Sequence, residues 1–301
     1  VSSCVAIGRL ALTGSGSTDT GINGTVAVGF QALTALTTGI GNVAVGYQAL
    51  FTEADGDYNT AIGYKALMNQ SRASTVGNTA IGYQAGYNVT DGWSNTYIGY
   101  NAAVAATTGY EQTIIGANAG ASLTTGDYNT AVGANALQNE DIGRGATAIG
   151  YNALRAQDSN SGDEDSGNTA VGYYAGTAVT TGTNNTILGA YAGDALTTGI
   201  QNVAIGRSAL SAADNDESYN IAIGSYTMAT VDDDGADHNI ALGYYALNAT
   251  TVSSSVAIGR ESLKALTSGF GNIAVGFQSL TAATTENYNT ILGYSAGSAI
   301  R

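Results

Sequence analysis

The chain has 301 residues, 23 acidic and 9 basic side chains for a formal net charge of −14, 42 Gly, no Pro, one Cys and one His. One cysteine excludes an internal disulfide framework and a Cys-rich zinc site, and a negative chain with no run of Lys or Arg excludes nucleic acid and anionic membrane surfaces as partners. Apolar residues make up 44% and charged residues 11%, which excludes a disordered tail, and no apolar stretch reaches the ~18 residues that membrane insertion requires.

Self-similarity dominates the rest. A motif close to Asn-Thr-Ala-Ile-Gly-Tyr-x-Ala-Leu recurs 17 times, and its glycine falls at 8, 29, 46, 63, 82, 99, 116, 133, 150, 172, 189, 206, 224, 243, 259, 276 and 293. Ten of the 16 intervals are 17 residues, and the others, from 16 to 22, place their length changes between motifs. That is how a solenoid absorbs insertions.

In chain order each copy reads the same way. Asn opens the motif in 12 copies, four residues before the glycine, and includes Asn42, Asn59, Asn78, Asn95, Asn129, Asn168, Asn185 and Asn202. Stacking predicts that these amides align into a hydrogen-bonded structural ladder. A short strand follows, with Val, Ile or Thr three before the glycine and Val, Ile or Leu one before it. Between them stands Ala in 13 copies, so the two strand faces differ in size. Ten motif glycines are followed by Tyr or Phe, among them Tyr47, Tyr64, Tyr83, Tyr100, Tyr151 and Tyr173. A second glycine, ten after the first in nine of the ten 17-residue copies, marks a second turn, often Thr-Thr-Gly.

One strand, one turn, a second segment and a return of fixed length predict an all-β parallel β-solenoid, a β-roll of about 17 coils. Propeller blades need about 40 residues, and helical repeats are longer and tolerate glycine poorly. At ~4.7 Å per coil the expectation is a rod of roughly 75 Å. Residues 1–301 read as one continuous repeat domain without terminal caps, whose open coils would also allow end-to-end stacking into a filament.

A strand that is apolar on both faces needs cover on both. One face is then the thin interior of the coil, and the other is expected against a second copy, closely enough to require Ala and Gly. This predicts a homo-oligomer, with a trimer the simplest closed arrangement. Within the motif, a large residue two before the glycine (Tyr97, Ile114, Ile187, Ile291) accompanies a small one four after it (Ala103, Gly120, Gly193, Gly297). Elsewhere Leu or Met takes the later site, except at Gly86 and Gly176, which precede the coils of Tyr97 and Ile187. The two sites are read as sharing one volume that reaches into the next coil.

Ser255-Val256-Ala257-Ile258-Gly259 and Asn202-Val203-Ala204-Ile205-Gly206 resemble the head repeats of YadA-type trimeric autotransporter adhesins. Copies such as Asn78-Thr79-Ala80-Ile81-Gly82-Tyr83-Gln84-Ala85 are similar to repeats of phage and bacterial tail-fibre proteins. The resemblance covers essentially the whole chain. It implies a left-handed, trimeric roll on an extracellular, cell or virion surface, serving as a fibre or adhesin shaft.

Chemistry finds little footing. His238 is the only imidazole and has no Ser or Cys partner motif beside it, so no cofactor and no catalytic residues are expected. Three acidic loops fall in lengthened repeats: Asp158 with Asp163, Glu164 and Asp165; Asp214 with Asp216 and Glu217; and Asp232, Asp233 and Asp234 with Asp237. The last set is the weak Ca²⁺ candidate, although no loop matches a calcium-binding pattern. The aromatic series reads as a packing ladder or as a stripe for a surface glycan. The Thr-Thr-Gly turns raise an ice-binding array, broken at Thr90-Asp91-Gly92. The expectation is therefore a non-enzymatic extracellular fibre or adhesin shaft that attaches to a glycan or protein receptor. A self-polymerising filament subunit and a glycan-binding or glycan-cleaving fibre are the alternatives.

Overall fold

The computed structural model describes residues 3–14, 21–159, 165–212, 216–230, 236–248 and 253–299. They form 17 three-residue strands, each the tripeptide that precedes a motif glycine. The chain divides into two compact units, Val1–Ala146 with Ser159–Glu164, and Thr147–Asp158 with Asp165–Arg301. The first holds β1 (Val5–Ile7) to β8 (Thr130–Val132) and the second β9 (Thr147–Ile149) to β17 (Thr290–Leu292). Each unit is an all-β parallel β-solenoid.

Within a unit every strand pairs in parallel with the next, and the register matches the motif. Val43, Ala44 and Val45 face Thr60, Ala61 and Ile62, and Thr169, Ala170 and Val171 face Thr186, Ile187 and Leu188. A period of one coil per repeat leaves no other pairing available, because a one-residue slip would turn every side chain over.

The strand's central residue points inward. Ala27, Ala44, Ala61, Ala80, Tyr97 and Ile114 are fully buried in the first unit, as are Ala170, Ile187, Ala204 and Ala222 in the second. The alanine three after the glycine and the leucine four after it join them, as in Ala66 with Leu67 and Ala153 with Leu154. This corrects the expectation that the small-residue face lies against a second copy. A coil of about 17 residues encloses too little room for two layers of long side chains, so the strand contributes Ala and the facing turn contributes Leu. The outward face carries the Thr, Val, Ile and Leu positions instead.

The shared volume is visible at its exceptions. A Cβ on Gly86 would sit 2.7 Å from Cδ2 of Tyr97 in the next coil and 2.9 Å from Leu67 in the previous one. A Cβ on Gly176 would similarly meet Ile187 at 2.9 Å and Leu154 at 3.0 Å. The Leu site therefore projects toward the following strand, and a bulky residue there removes the leucine.

Residues other than glycine adopt left-handed backbone two and four after the motif glycine, for example Gln48 with Leu50 and Asn152 with Leu154, and also five before it, as at Tyr58 and Tyr128. Left-handed L-residues cost roughly 1–2 kcal/mol each. Ladder hydrogen bonds hold them: Gln48 N–H donates to Phe30 O of the previous coil and Leu50 N–H to Ala66 O of the next.

The motif glycine is required twice over. Gly82 has φ +139°, and its missing Cβ would lie 2.7 Å from the carbonyl carbon of Gly99. Gly77 also has positive φ, +62°, yet nothing lies within 4 Å of the Cβ position. Gly77→Ala is expected to cost about 1 kcal/mol, the left-handed penalty alone. Gly82→Ala should cost several-fold more in urea titrations, because backbone must move. Equal losses at the two positions would refute the close-approach account.

Candidate functional site

Among the described residues no group of three or more His, Cys, Asp or Glu is placed to hold a metal ion. Asp163, Glu164, Asp214, Asp232, Asp233 and Asp234 lie outside the described residues, so the structure bears on only part of each acidic loop. Asp237 accepts the Ser218 N–H at 2.7 Å through Oδ1. Asp158 donates its N–H to Thr180 O, and Ser218 Oγ–H bonds Asp216 O. His238 is exposed and stacks on Tyr219 with centroids 4.9 Å apart.

The asparagines form the most regular polar array. Asn42, Asn59, Asn78, Asn129, Asn168, Asn185 and Asn202 are fully buried and Asn95 nearly so. All but Asn59, whose Oδ1 alone is engaged, link adjacent coils through both amide atoms. Asn78 Oδ1 accepts the Asn95 N–H at 2.8 Å, while its Nδ2 donates to Gly92 O, also at 2.8 Å. Asn42 repeats this with Asn59 N–H and Gly56 O, and Asn185 with Asn202 N–H and Gly199 O. Asn129 and Asn168 bond Gly143 O and Gly182 O, and Asn95 and Asn202 bond Gly109 O and Glu217 O. The amide of one coil thus ties the next coil's strand to that coil's second turn. The second glycine is small because that carbonyl is close: Gly92 lacks positive φ, but a Cβ on it would crowd Gly109 O at 2.5 Å and Asn95 Nδ2 at 3.1 Å.

The threonines of the second turn are likewise engaged between coils. Thr107 donates both its N–H, at 2.8 Å, and its Oγ1–H, at 3.0 Å, to Thr124 O. Thr124 does the same to Asp141 O and Thr267 to Thr284 O. These first-threonine hydroxyls face the neighbouring coil, whereas the second threonines, Thr108, Thr125 and Thr198, are exposed.

The aromatic series is a stack. Phe30, Tyr47, Tyr64, Tyr83 and Tyr100 follow one another with centroids 5.1 to 5.3 Å apart and planes within 17°. Tyr151 and Tyr173 continue the pattern in the second unit at 5.5 Å and 18°. Tyr83 is 42% and Tyr100 54% exposed. Neighbouring rings cover the ring faces, so a sugar would meet edges and hydroxyls rather than the flat surface that carbohydrate stacking uses. A shorter series, Trp93 over Tyr110 at 4.8 Å with Tyr128 edge-on, lies before the strands. The Tyr128 hydroxyl contact and the nearby Asp127 charge push the Tyr110 phenol up to about 12.

Two carboxylates occupy the position seven after the glycine, which is mostly apolar but also holds the buried Gln70 and Gln157, a feature that the repeat alignment did not bring out. Glu140 Oε1 accepts the Gly143 N–H at 2.7 Å and its Oε2 accepts Ser159 Oγ–H at 3.0 Å. Glu53 Oε1 accepts Gly56 N–H at 2.7 Å, but its Oε2 and the nearby-strand Asn59 Nδ2 have no protein partner. Burial pushes the Glu53 carboxyl above its ordinary 4.5 despite those backbone donors. No protein-family model matches the chain, and no curated protein matches it in sequence.

Two expectations follow from these bonds. Asn95→Ala strands the Gln112 N–H and Gly109 O inside the fold, a loss on the order of 1–3 kcal/mol for each group left unmet. Asn289→Ala, at a half-exposed rung of the same ladder, should cost less; equal costs by calorimetry would remove burial as the cause. For Glu53, the folded chain holds a proton that the unfolded chain releases as pH rises past 4.5, so this group's contribution to stability falls across that window and then levels. Glu53→Gln should be more stable at pH 7 and show a shallower decline from pH 4 upward. An unchanged slope would show that burial does not perturb this carboxyl.

Proposed function

We propose that the protein is a non-enzymatic structural fibre or adhesin shaft, built by lateral association of three copies and working outside the cell or on a virion surface. The observation that carries this reading is the outward strand face. Ile62 and Ile81, in adjoining coils of the first unit, and Ile149, Ile223 and Ile258 are 37–38% exposed and Leu188 45%; in the second unit these residues fall in alternate coils, with the half-buried Val171, Ile205 and Leu242 between them, beside the aromatic column. Parallel sheets are ordinarily covered on both faces, and contiguous apolar patches of this kind mark association surfaces.

The polar side chains support the same reading. Asn42, Asn78 and Asn185, and Thr107 and Thr124, are spent on joining one coil to the next rather than converging on a reacting group. Three copies with their outward faces turned to a common axis cover the aliphatic columns and leave the second turns for solvent and receptor. Attachment then rests on those turns, to a glycan or a protein.

Light scattering over a concentration series tests this. The expected mass is three times the 30.2 kDa chain mass. A variant carrying Ile62→Lys, Ile81→Lys, Ile223→Lys and Ile258→Lys should give single chains with an unchanged far-UV spectrum, since half-exposed surface changes are usually within ±0.5 kcal/mol each. A wild-type chain that stays monomeric at every concentration would overturn the reading.

A further inference from the structure

The two ends of the strand column carry opposite charge. At the first and second positions after the glycine stand Arg9, Lys65, Arg207 and Arg260, against one acid, Glu261. At the fifth to seventh positions before it stand Asp57, Glu111, Asp127, Asp165, Glu217, Asp237 and Glu286, against one cation, Arg144. Asp127 and Glu217 are buried, and Arg144 lies 3.5 Å from Asp127 Oδ2. The remaining acids are exposed or half-exposed. Both units show the division independently.

The cations are held in place. Arg9 lies over Phe30 at 5.8 Å, Lys65 over Tyr64 at 5.4 Å, Arg207 over Tyr226 at 5.6 Å, and Arg260 over Phe277 at 5.6 Å and Tyr244 at 5.8 Å. Cation–π contact fixes each charge along the aromatic column at the C-terminal end of the strands. Glu111 and Asp165 are exposed at the opposite end.

Symmetry decides what these edges meet. Copies related by rotation about an axis along the stacking direction run their strands head to tail around it, so the C-terminal edge of one lies against the N-terminal edge of the next. Copies stacked in opposite directions bring like edges together, acid on acid. We propose that a second copy of this chain docks its acidic strand edge on the aromatic–cationic edge, so that charge selects a ring of copies all stacked in the same direction. The proposal rests on association through the outward face and adds its polarity.

Three full-length variants test it by sedimentation at low and high salt. The first carries Arg9→Glu, Lys65→Glu, Arg207→Glu and Arg260→Glu. The second carries Glu111→Lys and Asp165→Lys, with Asp57→Asn and Asp237→Asn, which keep acceptors for the Ile40 and Ser218 N–H groups. The third combines both sets. Rim charges act through salt-dependent attraction, so each single set should weaken association about tenfold at low salt, and the combination should restore it to within about threefold.

Opposite-direction pairing predicts no weakening from the cation set and no restoration. That result, with wild-type copies still associating and the four outward-face lysines still abolishing it, sinks the charge selection and spares the fibre reading. A wild type that never associates sinks both. Should a reversed set fail to fold by far-UV spectrum, the Gln and Asn versions of the same positions replace it. They are expected to flatten the salt dependence, and an unchanged salt slope overturns the proposal.

Discussion

Close approach of backbone to backbone at the motif glycine sets the limits for everything else in this molecule. Within each unit a motif glycine lies against the carbonyl of its counterpart in the next coil, as Gly82 does against Gly99 and Gly172 against Gly189. That contact fixes the register, and register then aligns every other position with itself. Asparagine stands over asparagine, tyrosine over tyrosine and threonine over threonine, so one good interaction is repeated along each unit. The interior follows from the same closeness: a coil this tight accepts alanine from its strand and leucine from its turn, and sends its β-branched residues outward.

Much of this was readable in the sequence because a repeat is an alignment of the protein with itself. The strands, both turns and the asparagine column follow from invariant spacing, and the exchange between Gly86 and Tyr97 could be inferred from two exceptions. The direction of the strand faces could not. Periodicity of two says which residues share a face but is silent on which face is inside, and the size of the enclosed space had to decide it. Nor could the left-handed backbone at Leu50 and Leu154 be read, since leucine gives no sign of positive φ. Tertiary hydrogen bonds impose it.

The candidate site was less legible still. Glu53 and Glu140 are lost in an alignment keyed to the motif, because their position varies among Leu, Val, Ala and polar residues such as Gln70 and Gln157, and only burial reveals a carboxylate inside the coil. The Thr-Thr-Gly hydroxyls invite a solvent-facing reading for both threonines until Thr107, the first of its turn, is seen to give both its protons to Thr124 O. Aromatic stacking similarly changes the meaning of the tyrosines: a column of rings is a potential sugar platform in sequence, but rings 5.1 Å apart have already used their faces on one another.

The asparagine bridge has a consequence for how such a chain can change over time. Because the Asn78 side chain bonds only within its own repeat and the repeats on either side, through Gln70 Oε1, Gly92 O and the Asn95 N–H, each coil answers only to its immediate neighbours. Coils whose inward residues match are therefore interchangeable parts, and duplication or deletion of such a 17-residue segment keeps the asparagine bonds while altering their number, whereas a coil with a bulky strand residue such as Tyr97 must still follow one with a glycine such as Gly86. Recombination between near-identical coding repeats would lengthen or shorten the protein in discrete steps, so reach can evolve without any new invention in the fold.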